Sequence, residues 1–205
     1  MKITDEIHMV DGAEHCRLYL LVGQDGLTLI DAGDPGDGPK VLAYLEKWGW
    51  KPQDIVRIVL THKHGDHVGD LRMLAEATGA EVLAHEADAD AIDEIAKVDR
   101  RLKEGDVIEG VLGELEIVHV PGHTEGCIVL HSPSRKVIFT GDVILNRGEL
   151  TGPIPEYCTD LAQAHQSLRE KVAPLDVEIC CFAHGEVITE EAGDKVREVI
   201  ARLTP

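Results

Sequence analysis

Short apolar runs at residues 7–10, 16–23 and 26–31, separated by turn residues such as Gln24, Asp25 and Gly26, predict antiparallel strands at the start of the chain. A loop over 32–39, rich in Gly, Asp and Pro, then leads into a helix at about 40–48. The largely apolar run 55–60 reads as a buried strand. Behind it, Leu71, Leu74 and Ala75 recur at helical spacing and predict a helix over 68–78. A further strand is expected at 81–84 and a further helix at 87–98.

The second half repeats this order. Strands are expected near 115–120, 127–131 and 136–140, followed by a long loop, a helix at about 161–171, a strand at 177–182 and a helix at 190–203. A meander of strands followed by helices, twice over, predicts an α/β fold with two mixed sheets face to face and helices outside, an αββα sandwich. No linker or low-complexity stretch separates the halves. The expectation is therefore one domain over 1–205, made of two similar halves at about 1–100 and 101–205.

Chemistry concentrates where strands end. The segment beginning at Thr61 carries His62, His64, Asp66 and His67, four ligand-type side chains within six positions on a strand-to-helix turn. Imidazole and carboxylate at that density are what zinc, iron or manganese sites use. Three further strand ends carry the same residue types: His123 after Pro121 and Gly122, Asp142 after Thr140 and Gly141, and His184 after Ala183. Four strand ends bearing ligand-type residues are the pattern of a site built along one edge of a β-sandwich.

Composition narrows the partners. With 205 residues, 43% of them hydrophobic, the chain can fill one large core. A net charge of −18 and the lack of any basic run argue against nucleic acid, and aromatic residues at 3% provide no stacking platform for bases. No apolar run approaches the roughly 20 residues that cross a bilayer, so no membrane partner is expected. The N-terminus is charged and lacks the apolar core of a secretory leader, which makes the expected location cytoplasmic. Five cysteines without a C-x-x-C pair fit reduced thiols. Of these, Cys180 and Cys181 read as core or pocket-wall residues within a strand.

The H-x-H-x-D-H run at 62–67, with His123 in a PGHT element, Asp142 in a TGD element and His184 in an HG element, resembles the metallo-β-lactamase fold hydrolases over essentially the whole chain. The resemblance implies two divalent metal ions, zinc first, with iron or manganese as alternatives. It assigns His62, His64 and His123 to one ion and Asp66, His67 and His184 to the other, with Asp142 bridging. Asp31 matches the aspartate that supports the metal turn from outside the ligand set. A pair of ions about 3.5–4 Å apart shares a water and supplies hydroxide near neutral pH. The implied activity is hydrolysis of an ester, thioester or lactone in a small molecule, with Asp66 orienting the hydroxide or carrying a proton to the leaving group.

Within the family, the aspartate at 142 resembles glyoxalase II and related thioesterases or lactonases, whereas the antibiotic-degrading members typically carry Cys or another residue there. Glyoxalase II has a C-terminal helical domain that helps bind glutathione. Here about twenty residues with one expected helix follow His184, which puts glutathione recognition in doubt. Quorum-quenching lactonases place a Tyr where this chain has Leu145. Flavodiiron proteins place a Glu at the position of His64. The alternative reading is a persulfide dioxygenase of the same fold, binding one iron through the positions of His62, His123 and Asp142. A third is a metal-bound module without catalysis.

The loop 143–158 is long and rich in Gly and Pro, as functional loops are, and offers Asn146, Arg147 and Tyr157 as substrate contacts. Residues 32–39 provide a candidate opposite wall. Lys63 alternates with His62 and His64 and is expected to face solvent. The remaining histidines, His8, His15, His85, His119, His131 and His165, match no motif position. His119 is the exception to examine, because it lies on the strand end that leads to His123. Trp48 and Trp50 read as packing residues, and a homodimer is left open.

Overall fold

The computed structural model describes residues 1–204. The chain divides into two compact units, Met1–Leu102 with Gly110–Leu112, and Lys103–Glu109 with residues 113–204.

The first unit is a six-stranded mixed sheet with helices. β1 (Ile7–Met9), β2 (Tyr19–Val22) and β3 (Leu27–Ile30) form the expected antiparallel meander, and β4 (Ile55–Val59), β5 (Glu81–His85) and β6 (Arg100–Leu102) continue it in parallel, in spatial order β1-β2-β3-β4-β5-β6. Parallel pairing buries both faces of a strand, which is why β3 is apolar or buried at every position instead of alternating. The connection from β3 to β4 runs through α1 (Gly38–Trp48), which starts two residues earlier than the pattern predicts because Pro39 suits the first helical turn.

The helix expected at 68–78 is broken in two. α2 (Gly65–Val68) carries the metal-type turn, and α3 (Leu71–Thr78) follows. The break falls at Gly69 and Asp70, where the loop after β3 presses against the chain. A Cβ on Gly69 would lie 2.5 Å from Pro35 Cδ, and the Asp70 carboxylate accepts the backbone N–H groups of Gly36 (2.8 Å) and Gly38 (2.7 Å). α4 (Glu86–Asp93) stops well short of residue 98, because Asp93 Oδ1 accepts the Val98 N–H at 2.7 Å and turns the chain into β6.

The second unit is built on a five-stranded sheet. β7 (Val107–Glu109), β8 (Glu114–His119), β9 (Ile128–Ser132) and β10 (Val137–Phe139) are antiparallel. The long loop that follows contains a two-residue ribbon, β11 (Leu145–Asn146) and β12 (Leu150–Thr151). β13 (Ile179–Cys181) then pairs in parallel with β10, which completes the order β13-β10-β9-β8-β7. Both units thus contain an antiparallel meander extended by parallel pairing. α5 (Leu161–Ser167) continues as a π-helical stretch, Leu168–Val172, and α6 (Ala192–Arg202) closes the chain. The core of this unit is built from Val120, Val129, Ile138, Ile144, Phe182 and Val196 with their neighbours, and includes Cys127 and Cys180.

Candidate metal centre

In the first unit, β4 delivers Thr61 and the four ligand-type residues directly onto a turn. Its geometry is set by Asp31, buried at the end of β3. The Asp31 carboxylate accepts the Thr61 N–H (2.8 Å), the Thr61 hydroxyl (2.9 Å) and His67 Nδ1–H (2.9 Å). His67 is therefore held with its proton on Nδ1, leaving the Nε2 lone pair toward Asp66, whose Oδ2 is 3.8 Å away. The Thr61 hydroxyl has one proton, committed to Asp31, so toward His62 it acts as an acceptor from Nδ1–H (3.1 Å). His62 then presents Nε2, 3.1 Å from His64 Nδ1. Two nitrogens bound tetrahedrally to one zinc at about 2.05 Å stand about 3.3 Å apart, so this pair has the spacing that a shared ion needs.

In the second unit, His123, Asp142 and His184 come together in the same way. The Asp142 carboxylate is divided between two imidazoles: Oδ2 lies 3.6 Å from His123 Nε2, and Oδ1 lies 3.2 Å from His184 Nε2. Each oxygen faces a different histidine. His123 and His184 are buried, and the Asp142 side chain is 11% exposed. The donor chemistry of both sets, neutral imidazole and carboxylate, fits divalent metal ions of the zinc class.

The turn carrying His123 depends on Gly122, which has φ +129° and no room for a side chain: a Cβ would stand 2.2 Å from the backbone nitrogen of Ala164. The segment before α5 clasps this turn. Thr159 N–H donates to the His123 carbonyl (3.1 Å), Asp160 N–H to the Gly122 carbonyl (2.9 Å) and Ser167 Oγ to the Pro121 carbonyl (3.0 Å). Cys158 Sγ lies 3.7 Å from His123 Nδ1. Burial, with a smaller push from the Asp142 charge, raises the Cys158 thiol to about 11. Burial likewise pushes Cys180 and Cys181 up, which suits core thiols.

Lys63 does not simply face solvent: its backbone N–H donates to the buried Asp88 carboxylate (3.1 Å), and its Nζ lies 3.5 Å from the other oxygen. Asn146 uses its side-chain amide to hold the Glu186 carbonyl at 2.6 Å, pinning the turn after His184, while Arg147 is exposed and Tyr157 is 61% exposed. His119 turns to the Glu125 carbonyl (2.8 Å). His15, which matches no motif position, places Nδ1 2.8 Å from Asp34 and 3.9 Å from Asp66. Cys16 Sγ approaches His67 Nδ1 at 3.7 Å. His8 joins Tyr44, Trp48 and Trp50 in an aromatic cluster, in keeping with a packing role.

The profile of the metallo-beta-lactamase superfamily matches residues 11–184, a span that includes every donor described above. The chain belongs to the metallo-β-lactamase superfamily. Among curated relatives of this superfamily member, a hydroxyacylglutathione hydrolase of Cereibacter sphaeroides is 40% identical over 114 residues, 56% of this chain and 42% of the relative. One of Hyphomonas neptunium is 34% identical over 148 residues, 72% of this chain and 55% of the relative. The chain spans about half the length of the curated relatives it matches. Solved structures show the fold: a metallo-β-lactamase from Cronobacter sakazakii, altered in its HARLDQ motif, superposes with a TM-score of 0.81 at 22% identity, covering 98% of this chain and 92% of that one. A metallo-β-lactamase family protein of Thermus thermophilus gives 0.76 at 20% identity, covering 98% and 78%. The α/β class expected from the sequence is that of this fold.

Proposed function

We propose that the chain is a binuclear metal-dependent hydrolase of a small-molecule ester, thioester or lactone, with a thioester the favoured substrate. The carrying observation is the Asp142 carboxylate, one oxygen toward His123 and the other toward His184. In this reading residues 1–205 act as a single domain. His62, His64 and His123 would hold one ion and Asp66, His67 and His184 a second, with Asp142 the carboxylate proposed to be shared between them. Zinc is the favoured metal, with iron and manganese compatible with the same donors. The hydroxyacylglutathione hydrolase relatives support the thioester preference. Free cysteines throughout the described residues favour a cytoplasmic setting. Among those residues no helix is long and apolar enough to cross a membrane.

When bound, the two ions supply hydroxide near neutral pH and offset the negative charge that develops on the leaving group. The chain's own contribution is orientation. Asp31 fixes the His67 tautomer directly and that of His62 through Thr61, so both rings present Nε2. Asp66, with its side chain 22% exposed, is the carboxylate able to meet substrate as well as metal, and it holds or returns the proton that a leaving thiolate takes up. Arg147 and Tyr157, exposed on the long loop, are the proposed substrate contacts, whereas Asn146 shapes the turn below them.

The test is metal analysis of the purified protein together with a panel of thioesters, esters and lactones. Two divalent ions per chain and thioester turnover that a chelator abolishes are expected. Stoichiometric oxygen uptake with a persulfide would replace this reading with the dioxygenase one. Full metal occupancy without turnover of any panel member would leave a non-catalytic metal protein.

A further inference from the structure

We propose that Cys158 is a positioning residue for His123, accepting its Nδ1–H so that Nε2 is left free to bind metal. The inference rests on the hydrolase reading above and deepens it.

The direction of the contact follows from what else the thiol does. Cys158 ends the long loop, just after the short 3-10 turn Pro155–Tyr157, and its S–H is directed at the Ile154 carbonyl, 3.4 Å from Sγ. A thiol has one proton to give. With that proton on Ile154, the sulfur can only accept from His123 Nδ1, 3.7 Å away. The ring proton then sits on Nδ1, and the lone pair sits on Nε2, the nitrogen that faces Asp142 at 3.6 Å. An imidazole that binds metal through one nitrogen takes its orientation and tautomer from whatever receives the hydrogen on the other.

The neighbouring backbone reinforces the effect. Thr159 N–H holds the His123 carbonyl, while Thr159 Oγ1 (3.2 Å) and Asp160 N–H (2.9 Å) hold the Gly122 carbonyl. Three consecutive residues, 158–160, therefore fix both the main chain and the ring of one ligand. His67 is held differently, by a carboxylate at 2.9 Å. A carboxylate makes an imidazole a stronger donor to metal than a neutral sulfur does. Cys158 is accordingly the weaker of the two outer partners, so its removal should cost the His123 ion less than removal of Asp31 would cost the ion held by His67.

The experiment compares wild type, Cys158→Ala and Cys158→Ser. It measures metal affinity by chelator competition, the absorption spectrum of cobalt-loaded protein and the unfolding midpoint of metal-free protein. Cys158→Ala should weaken one of the two ions by on the order of 10-fold, within the range for loss of an outer partner, and shift the cobalt spectrum. Its metal-free midpoint should stay near wild type. Cys158→Ser, which keeps an acceptor, should recover most of the affinity. Unchanged affinity and spectrum in Cys158→Ala, with wild type binding two ions, would remove the positioning role and leave the hydrolase reading intact. Equal losses in Ala and Ser with a lowered metal-free midpoint would reduce Cys158 to packing. A wild-type protein that binds no metal would take down both readings.

Discussion

The Asp31 carboxylate accepts Nδ1–H of His67 at 2.9 Å, with both side chains at most 2% exposed. The same carboxylate takes the hydroxyl and the backbone N–H of Thr61, so one buried acceptor organises the whole turn. Asp31→Ala leaves three buried donors without it. The expected cost is about 3 kcal/mol, the scale of breaking a buried charged network. Urea unfolding of the metal-free variant measures it, and a loss below about 1 kcal/mol would mean that Asp31 only decorates the turn.

Asp88 performs a related task from α4. Its buried carboxylate takes the backbone N–H of Lys63, the residue between His62 and His64, and its charge meets the Lys63 ammonium. Without it the spacing of the two imidazoles is free to drift. Asp88→Ala should lower stability by about 1–3 kcal/mol and metal affinity by roughly 10-fold. Asp88→Asn, which retains an acceptor, should lose less of both. Calorimetric metal titration of the two variants separates them, and identical titrations for wild type and Asp88→Ala would dismiss the role.

The ligand turn was legible because its residues are neighbours in sequence and sit at a strand end that hydropathy already marks. The contacts that tune it were not, because they join distant positions. Asp88 lies in the acidic stretch Glu86–Asp93, which reads as a solvated helix face until one carboxylate proves buried. Cys158 shows no chemistry in its own neighbourhood and acquires some only beside His123, 35 residues away. Among the elements, β6 and β7 escaped notice because each is three residues long, lies at the edge of its sheet and carries charged residues, as edge strands commonly do. The helix over 68–78 failed at Gly69 because its periodicity gave no sign that Pro35 would lie against it.

Gly122 tests how rigidly the second unit holds its histidine. At φ +129° an L-residue is strained whatever the space, and the added Cβ would meet the main chain of α5 at Ala164 instead of a side chain able to move aside. Gly122→Ala should therefore destabilise by about 3 kcal/mol or more, combining strain with overpacking. A thermal midpoint within experimental error of wild type would show that α5 yields easily.

Asp142→Ala removes the carboxylate that faces both His123 and His184. Bound metal should fall below two ions per chain, and turnover should drop by more than about 100-fold, beyond the range for an outer partner. The circular dichroism spectrum should remain that of the folded chain, since β10 ends at Phe139 and its pairing does not involve residue 142. Two tightly bound ions with normal turnover in this variant would dispose of the bridge.

Metal removal should reach beyond activity to stability. The donors are drawn together in each unit, with His62 and His64 nitrogens 3.1 Å apart and Asp142 held between two imidazoles, in a chain of net charge −18. An ion that binds the folded state alone stabilises it by about 2.7 kcal/mol at 100 times its dissociation constant. For a chain of this size that corresponds to a rise of roughly 5–10 °C in the unfolding midpoint. Chelator-treated protein should lose that increment and regain it on adding zinc, with the gain growing as free zinc rises. Midpoints that coincide with and without chelator, at any zinc concentration, would show that the clustered side chains are held by the fold alone.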